Sequence, residues 1–407
     1  MVFRANRQEL HRAVLALRKM SQTLYYSFWD GVCWISQNHS QVVLELAPGD
    51  INAQCALGVP AVIYQPWGNC GRPMGVKLHD LHRALSALTD DEVRFAVIEH
   101  HDRPDSLLIT DLGGDVHCQL ADPVYYRPSY FDPDRWRPMR LMNARKLAKA
   151  LRLVNPFYGY GFTMPPELNG ICLSGCEEQG VVQLEGLCDW GYRRIEWEDE
   201  ALWFAVDGAS VHFNWRVPAL LQRALPWLGE RVYANPHAHG CVWLVGEAAD
   251  LRFPKGADQH GQYPDCDEIF AAARESKQLL TVKAGEFRDV LKRARQVLGY
   301  GCVKLDLQTG LFSGEDKQRS FSCSFGGASK ADIETVEFCL HHLEQAFNSF
   351  DSDETVVFQF TGRYSPCRIQ GSRSPGMETF LFMRTPTCRD DGTVYGPPHV
   401  ELDMVPF

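Results

Sequence analysis

Three times along the chain an amphipathic helix pattern leads into alternating strand patterns and then a second, more apolar helix. This weak internal threefold repeat constrains the fold more than any single motif. The opening helices lie in "FRANRQELHRAVLALRKM", "ARKLAKALRLV" and "VKAGEFRDVLKRARQVL". In the second, at roughly 100° per residue, Leu147, Leu151 and Val154 fall on one face and Arg145, Lys149 and Arg152 on the other. In the first, Leu10, Val14 and Leu17 form the apolar stripe, with Arg4, Arg7, Arg18 and Lys19 to one side. In the third the stripe is Phe287, Leu291, Ala294 and Leu298, flanked by Arg288, Lys292 and Arg295. The second helices, in "MGVKLHDLHRALSALTDDEVRFAV", "NWRVPALLQRALPWLGERVYA" and "EFCLHHLEQAFNSFDSDETVVFQF", share leucines three and four apart, a polar or glycine break and a following strand.

Between the helices, "QVVLELA", "SLLITDL", "VVQLEGL", "CVKLDLQ" and "ETFLFMR" read as strands. The expected class is α+β, each domain an antiparallel sheet with two helices packed on one side. With 407 residues, 45% of them hydrophobic, the chain can bury real cores. No apolar run reaches membrane-spanning length, and the start "MVFRANRQEL" has no secretory apolar region, so a cytoplasmic, membrane-free protein is expected. The 14 cysteines are scattered through strand-like segments without paired CxxC spacing, which implies reduced core thiols.

The net charge of −10 argues against a generally sticky nucleic-acid binder, so the basic helix faces stand out as local concentrations of positive charge. A single such helix is usually only a solvated face; the recurrence is what carries weight. "NPHAHGC", with His237, His239 and Cys241, and "EHHD", Glu99 to Asp102, hold metal-ligand types, but no HExxH or paired CxxC accompanies them. No phosphate-binding GxxxxGK[ST] and no GxSxG elbow occurs, so neither a metal, a cofactor nor an enzyme activity is expected. Tyr158 and Tyr160 in "NPFYGYGF" could stack on single-stranded DNA, although loop packing is the commoner role.

Several strings, in order, resemble the bacterial β sliding clamp family, the DNA polymerase III β subunit. They are "MVFRANRQELHRAV" at the start, "ELNGICLSG", "CDWGYRRIEW" and "LRFPKG" in the middle, and "FCLHHLEQAFNSF", "VVFQFTGRYSPCRIQG" and "ETFLFMRTP" towards the end. The resemblance runs from residue 1 to about residue 386. It implies the DNA-clamp fold with three similar domains, 1–137, 138–277 and 278–386, in a head-to-tail dimeric ring, and a tail over 387–407. It further implies a processivity factor that encircles duplex DNA without reading sequence, is opened by a clamp loader ATPase, and tethers a polymerase or repair protein. The alternative is a non-encircling paralogue acting as an interaction or regulatory module on a resident clamp.

On this reading the DNA-facing cations are Arg7, Arg18, Lys77, Arg83, Arg145, Lys149, Arg152, Arg223, Arg288, Lys292 and Arg295. Ring closure would use Val116 and Cys118 of one chain against Val297 and Leu298 of the other. The positions matching the family's peptide groove are Leu168, Gly191, Tyr192, Arg193, Arg194, Pro254, His342, Tyr364, Thr379, Leu381, Phe382, Met383 and Arg384. Trp190 reads as an insertion. Arg194 stands where the family usually has a leucine, and a guanidinium in an apolar pocket is costly unless paired, so either the pocket is reshaped or its ligand is more acidic. The terminal "ELDMVPF" resembles a clamp-binding peptide, with Leu402, Met404 and Phe407 as anchors, and is expected to occupy this groove or another clamp's. Deleting residues 400–407 should then raise the affinity for an added clamp-binding peptide in fluorescence anisotropy; unchanged affinity removes self-occlusion by the tail.

Overall fold

The structure, a computed structural model, describes residues 2–24, 31–38, 40–46, 54–65, 74–99, 105–121, 140–158, 170–176, 181–199, 210–214, 216–238, 241–246, 248–254, 263–299, 301–315, 318–362 and 365–383. They form two compact units. One is drawn from Met1–Lys149 and Asp199–Gln259, the other from Ala150–Glu198 and His260–Phe407, so the middle repeat contributes to both.

In the first unit, β1 (Val2–Asn6) leads into α1 (Arg7–Leu24), followed by β2 (Val32–Asn38), β3 (Gln41–Leu46), β4 (Gln54–Gln65) and β5 (Met74–Lys77). Then come α2 (Leu78–Ala87), β6 (Glu92–Ile98), β7 (Ser106–Thr110), β8 (Asp115–Ala121) and β9 (Arg140–Asn143), which enters α3 (Ala144–Val154). The order β1-β6-β7-β8-β5-β2-β3-β4 is closed by a further β4 to β1 pairing, so β1 is hydrogen-bonded on both sides. The β8 to β5 contact is confined to Ala121 with Gly75 and Leu120 with Val76; the other side of Asp115–Gln119 from β7 carries no pairing among the described residues. Helix α1 buries Leu10, Val14 and Leu17 as its periodicity requires, whereas Arg4 precedes the helix on β1 and pairs with Glu92. This corrects its assignment to the helix flank: the helix begins at Arg7, where Asn6 Oδ1 accepts from Glu9 N.

The same sheet continues past β4 into β16 (Ala249–Pro254), β15 (Cys241–Val245), β14 (Arg231–Ala238) and β9. Helix α4 (Val217–Leu228), preceded by strand β13 (Val211–Asn214), buries Val217, Leu220, Leu221, Leu225 and Leu228, the apolar face anticipated from its leucine spacing. It ends at Gly229, whose φ of 80° lies in the left-handed region. The turn joining β15 to β16 passes so close to that end that a Cβ on Gly246 would sit 2.0 Å from the Leu228 carbonyl oxygen.

The second unit contains β10 (Gly170–Cys176), β11 (Val181–Cys188) and β12 (Gly191–Glu198). After α5 (Cys266–Glu275) come β17 (Gln278–Lys283), α6 (Ala284–Leu298), β18 (Cys302–Asp306), β19 (Leu311–Glu315), β20 (Ser320–Ser324), β21 (Gly327–Ser329) and β22 (Thr335–Cys339). Helix α7 (Leu340–Phe347), β23 (Thr355–Phe360), β24 (Cys367–Gly371) and β25 (Met377–Leu381) complete it. One sheet runs β10-β11-β12-β25-β24-β23-β17-β21, so the middle-repeat strands and the last-repeat strands join where β12 pairs with β25, Gly191 opposite Leu381 and Ile195 opposite Met377. A second, four-stranded sheet has the order β20-β19-β18-β22.

Phe287 of α6 ties these layers together. Its ring lies 6.1 Å from Phe312 of β19, 4.7 Å from Phe347 of α7 and 5.7 Å from Phe358 of β23. The ten cysteines whose side chains the structure describes are free and seven of them are buried, in line with the reduced thiols expected. Substituting Gly246 by Ala is expected to lower stability by about 1–3 kcal/mol, a typical overpacking cost, because the new methyl meets main chain that cannot rotate away. Urea unfolding of the two proteins side by side measures it.

Candidate functional site

The basic residues sit on helices whose opposite faces are buried. In α3, Ala144, Leu147, Ala150, Leu151 and Val154 are buried while Arg145, Lys146, Lys149 and Arg152 are exposed; no acid lies on the helix. Asn143 Oδ1 accepts from Lys146 N at 3.1 Å, which satisfies one amide of the first turn. Arg145 pairs with Glu230 at the surface. Lys77, at the start of α2, and Arg83 are exposed, as is Lys292 on α6.

Other expected cations are partly committed inside the fold. Arg7 Nε donates to the Asp90 carbonyl at 2.7 Å and its Nη1 to the Leu85 carbonyl at 3.4 Å, fastening the start of α1 to the end of α2. Arg223 donates to the Lys19 carbonyl, and partial burial pushes its pKa down. Arg288 reaches Ser352 Oγ at 2.6 Å, and Arg295 pairs with Glu344 of α7; Arg18 is half-buried. The sequence reading passed over Arg12, stacked 5.0 Å from the Trp227 ring, and over His11 and His82, whose rings lie 5.0 Å apart between α1 and α2. Burial first, then the neighbouring His11, Arg18 and His79, keeps the His82 imidazole below its usual value. Tyr158 is buried with its hydroxyl donating to Asn155 Oδ1 at 3.1 Å, so its ring is occupied in packing; Tyr160 lies outside the described residues.

At the expected ring contacts, Cys118 is buried with its thiol directed at the Asp80 carbonyl, and Leu298 is buried in the last repeat. Val116 and Val297 are half-buried.

Most expected groove residues lie at the β12 to β25 junction. Leu168, Tyr364, Arg384 and the tail residues Leu402, Met404 and Phe407 lie outside the described residues, and Pro254 ends β16 in the other unit. Gly191 is fitted so tightly that a Cβ would meet the Phe380 carbonyl oxygen at 2.7 Å. Trp190, read from sequence as an insertion, is sandwiched: its ring lies 4.6 Å from Phe157 and stacks 4.3 Å from His342 of α7. Tyr192, Thr379, Leu381 and Met383 are buried and Phe382 is partly so.

Arg193 is 1% exposed, and among the described residues no carboxylate pairs with it. Its Nε donates to Thr379 Oγ1 at 2.9 Å, Nη1 to the Leu153 carbonyl at 3.0 Å and Nη2 to the Ala346 carbonyl at 2.9 Å, and the guanidinium lies 4.1 Å from the centre of the Phe157 ring. Burial lowers its pKa to about 9, which still leaves it charged at neutral pH. One side chain thus holds the C-terminal turns of α3 and α7 against β25.

Arg194 resolves the misfit seen in the sequence. Its Nε donates to Glu185 Oε1 at 2.6 Å and its Nη1 to Asp267 Oδ1 at 2.8 Å, while Tyr192 Oη also donates to Glu185 Oε1. Asp267 belongs to α5, a helix the sequence reading did not identify. The signal was present in "PDCDEIFAAARE": Asp265 caps it by accepting from Asp267 N and Glu268 N, Arg274 sits in its last turn, and Cys266, Phe270 and Ala273 form a narrow apolar stripe. That stripe covers Leu187, Tyr192 and Phe380. Arg274 donates through Nε to Oε1 and through Nη2 to Oε2 of Glu378 of β25, which also pairs with Arg368 of β24. Burial pushes the Asp267 carboxyl up, but its hydrogen bond to Arg194 and the charges of Arg194 and Arg274 hold it below its ordinary value of 3.8. Its stabilisation is therefore full above that value and is lost as pH falls through the lower folded-state value.

No family model and no curated protein matches the chain. Among solved structures it is similar to the DNA polymerase III beta subunit of Thermotoga maritima, with 12% identity, a TM-score of 0.76 and coverage of 95% of this chain and 100% of that one. It is similar also to the DNA polymerase sliding clamp of Caulobacter crescentus, at 15% identity and a TM-score of 0.78 over 95% and 100% of the two chains. For the DNA polymerase III subunit beta of Pseudomonas aeruginosa the values are 13%, 0.74, 95% and 100%. The fold is therefore the α+β fold of the bacterial DNA sliding clamps, as the collinear strings implied.

Replacing Arg193 by Met should cost on the order of 2–4 kcal/mol in stability, since it leaves two carbonyls and a hydroxyl buried without their donor. Arg193→Lys should recover only part of the loss, because an ammonium lacks the planar fork that reaches all three acceptors. Thermal unfolding of both variants gives the comparison.

Proposed function

We propose that this chain is a DNA sliding clamp: two copies close head to tail around duplex DNA and tether a polymerase or repair protein while a loader ATPase opens and closes the ring. The observation that carries the reading is α3, which exposes four cations and no acid in a chain of net charge −10 that has the clamp fold. Duplex DNA presents a negative charge about every 1.7 Å of its axis, and lysines on an otherwise acidic protein give a local attraction without general stickiness. Contacts of this kind go to phosphate and carry no sequence information, so the ring can slide; linkage by topology replaces tight binding, and no catalytic residue is needed.

The half-buried Val116 of β8, a strand whose second side is unpaired over Asp115–Gln119 among the described residues, and the half-buried Val297 support the head-to-tail contact. Among the described residues no helix is long and apolar enough to cross a membrane, which fits work on DNA in the cytoplasm.

The test is retention on DNA. With a loader present, the protein should stay on closed circular DNA and be lost when the circle is cut; equal loss from both would sink the encircling reading and leave an interaction module. In direct binding to short duplex DNA, Lys149→Glu with Lys292→Glu should weaken affinity similarly for all sequences. It should also make the plot of log K against log salt shallower, by about 0.9 for each phosphate contact removed.

A further inference from the structure

Helix α5 has no counterpart in the threefold repeat, and its hold on the sheet is narrow. Cys266, Phe270 and Ala273 lie over Leu187, Tyr192 and Phe380, with Tyr263 and Phe382 at the margin. Phe270 stacks 5.0 Å from Tyr192 and 4.2 Å from Phe380. On its other face Glu268, Ala271, Ala272 and Glu275 are exposed, and Ile269 is 45% exposed. A helix of 10 residues does not keep its form alone in water, so α5 is helical because of what it lies on.

The two charges beneath it keep partners of their own in the sheet. Arg194 has Glu185 at 2.6 Å and Glu378 has Arg368 at 2.7 Å, both within the sheet. Lifting α5 away removes Asp267 from Arg194 and Arg274 from Glu378, yet strands neither charge. A buried ion is strongly destabilised when its only partner leaves, and here each ion keeps a second partner. What α5 covers is a ready-made strip: two aromatic rings and a leucine between a guanidinium and a carboxylate.

We propose that this strip, Leu187, Tyr192 and Phe380 bordered by Arg194 and Glu378, is a docking site for a short amphipathic helix of a partner protein, and that α5 is its resident occupant, displaced when the partner docks. The resident helix supplies the template for the partner's chemistry. It places a carboxylate (Asp267) three residues before an aromatic (Phe270) and a guanidinium (Arg274) four residues after it, one for each charge on the strip. Because α5 is joined to the sheet by its own chain, it competes at high effective concentration, and only a partner held at a second point displaces it readily. This deepens the tethering role proposed above and rests on it only for the kind of protein that docks.

The probe is a labelled peptide of residues 265–275, "DCDEIFAAARE", added to the full chain and to a full chain in which residues 266–275 are replaced by Gly and Ser at equal length. Anisotropy should show binding to the replaced chain at least tenfold tighter than to the unaltered one, and Arg194→Ala in the replaced chain should weaken it by about tenfold or more. Equal binding to both chains, or no binding to a replaced chain that keeps its scattering mass, overturns the proposal; so does a replaced chain that fails to fold, since α5 would then be core. Hydrogen exchange on the unaltered protein decides independently. Amides of α5 should exchange at least a hundredfold faster than those of β12 and β25, whereas exchange in step with those strands refutes displacement. Retention on circular DNA, read on the same samples, separates failure of the docking site from failure of the clamp reading.

Discussion

The second unit depends on a buried guanidinium that, among the described residues, is held by neutral oxygens alone. Arg193 donates three hydrogen bonds, to a hydroxyl of β25 and to the carbonyls of two helix ends, and rests on the Phe157 ring. Helix C-termini present carbonyls that have lost their intrahelical donors and carry partial negative charge, so Leu153 and Ala346 together do the work of a carboxylate. The arrangement also explains why Gly191 and Trp190 sit where they do. A backbone pressed against Phe380 and a ring sandwiched between Phe157 and His342 complete the packing on either side of that charge.

Beside it, Arg194 shows the opposite solution to the same problem. Two adjacent arginines alternate across the strand, one facing α3 and α7, the other facing α5. The inward one is held by neutral oxygens, the other by Glu185 and Asp267. Each side of the sheet thereby meets its helices through a charge as well as through apolar contact. Charged contacts of this kind fix register and orientation more than they add net stability.

Periodicity made much of this legible. The stripes of α1, α3, α4 and α6 repeat at three and four residues over long runs, and the strands between them alternate, so both the helices and the threefold repeat could be read directly. The basic faces could be read as well, but not how far each cation was committed. Arg7 ends on carbonyls some eighty residues away and Arg295 on Glu344, partners that only the tertiary fold supplies. Helix α5 escaped because its apolar stripe is only three residues wide and breaks the repeat, so "DCDEIFAAARE" reads as polar linker. With it escaped the partner of Arg194, whose place in an apolar setting the sequence marked as a misfit without revealing the acid that answers it.

The pairing of β12 with β25 has a consequence for how the chain is made. Gly191 meets Leu381 and Tyr192 meets Phe380, so a strand translated near the middle of the message waits for almost two hundred further residues before its neighbour exists. At about 5–20 residues per second that interval is of order 10–40 seconds. Throughout it the open side of β12, with Tyr192 and Ile195 on the strand, stands as an unpaired sheet edge on the ribosome. A chain cut short before Met377 never closes that edge. Release of an incomplete copy therefore yields an aggregation-prone fragment, and it is the arrival of β25 that covers the edge left open by β12.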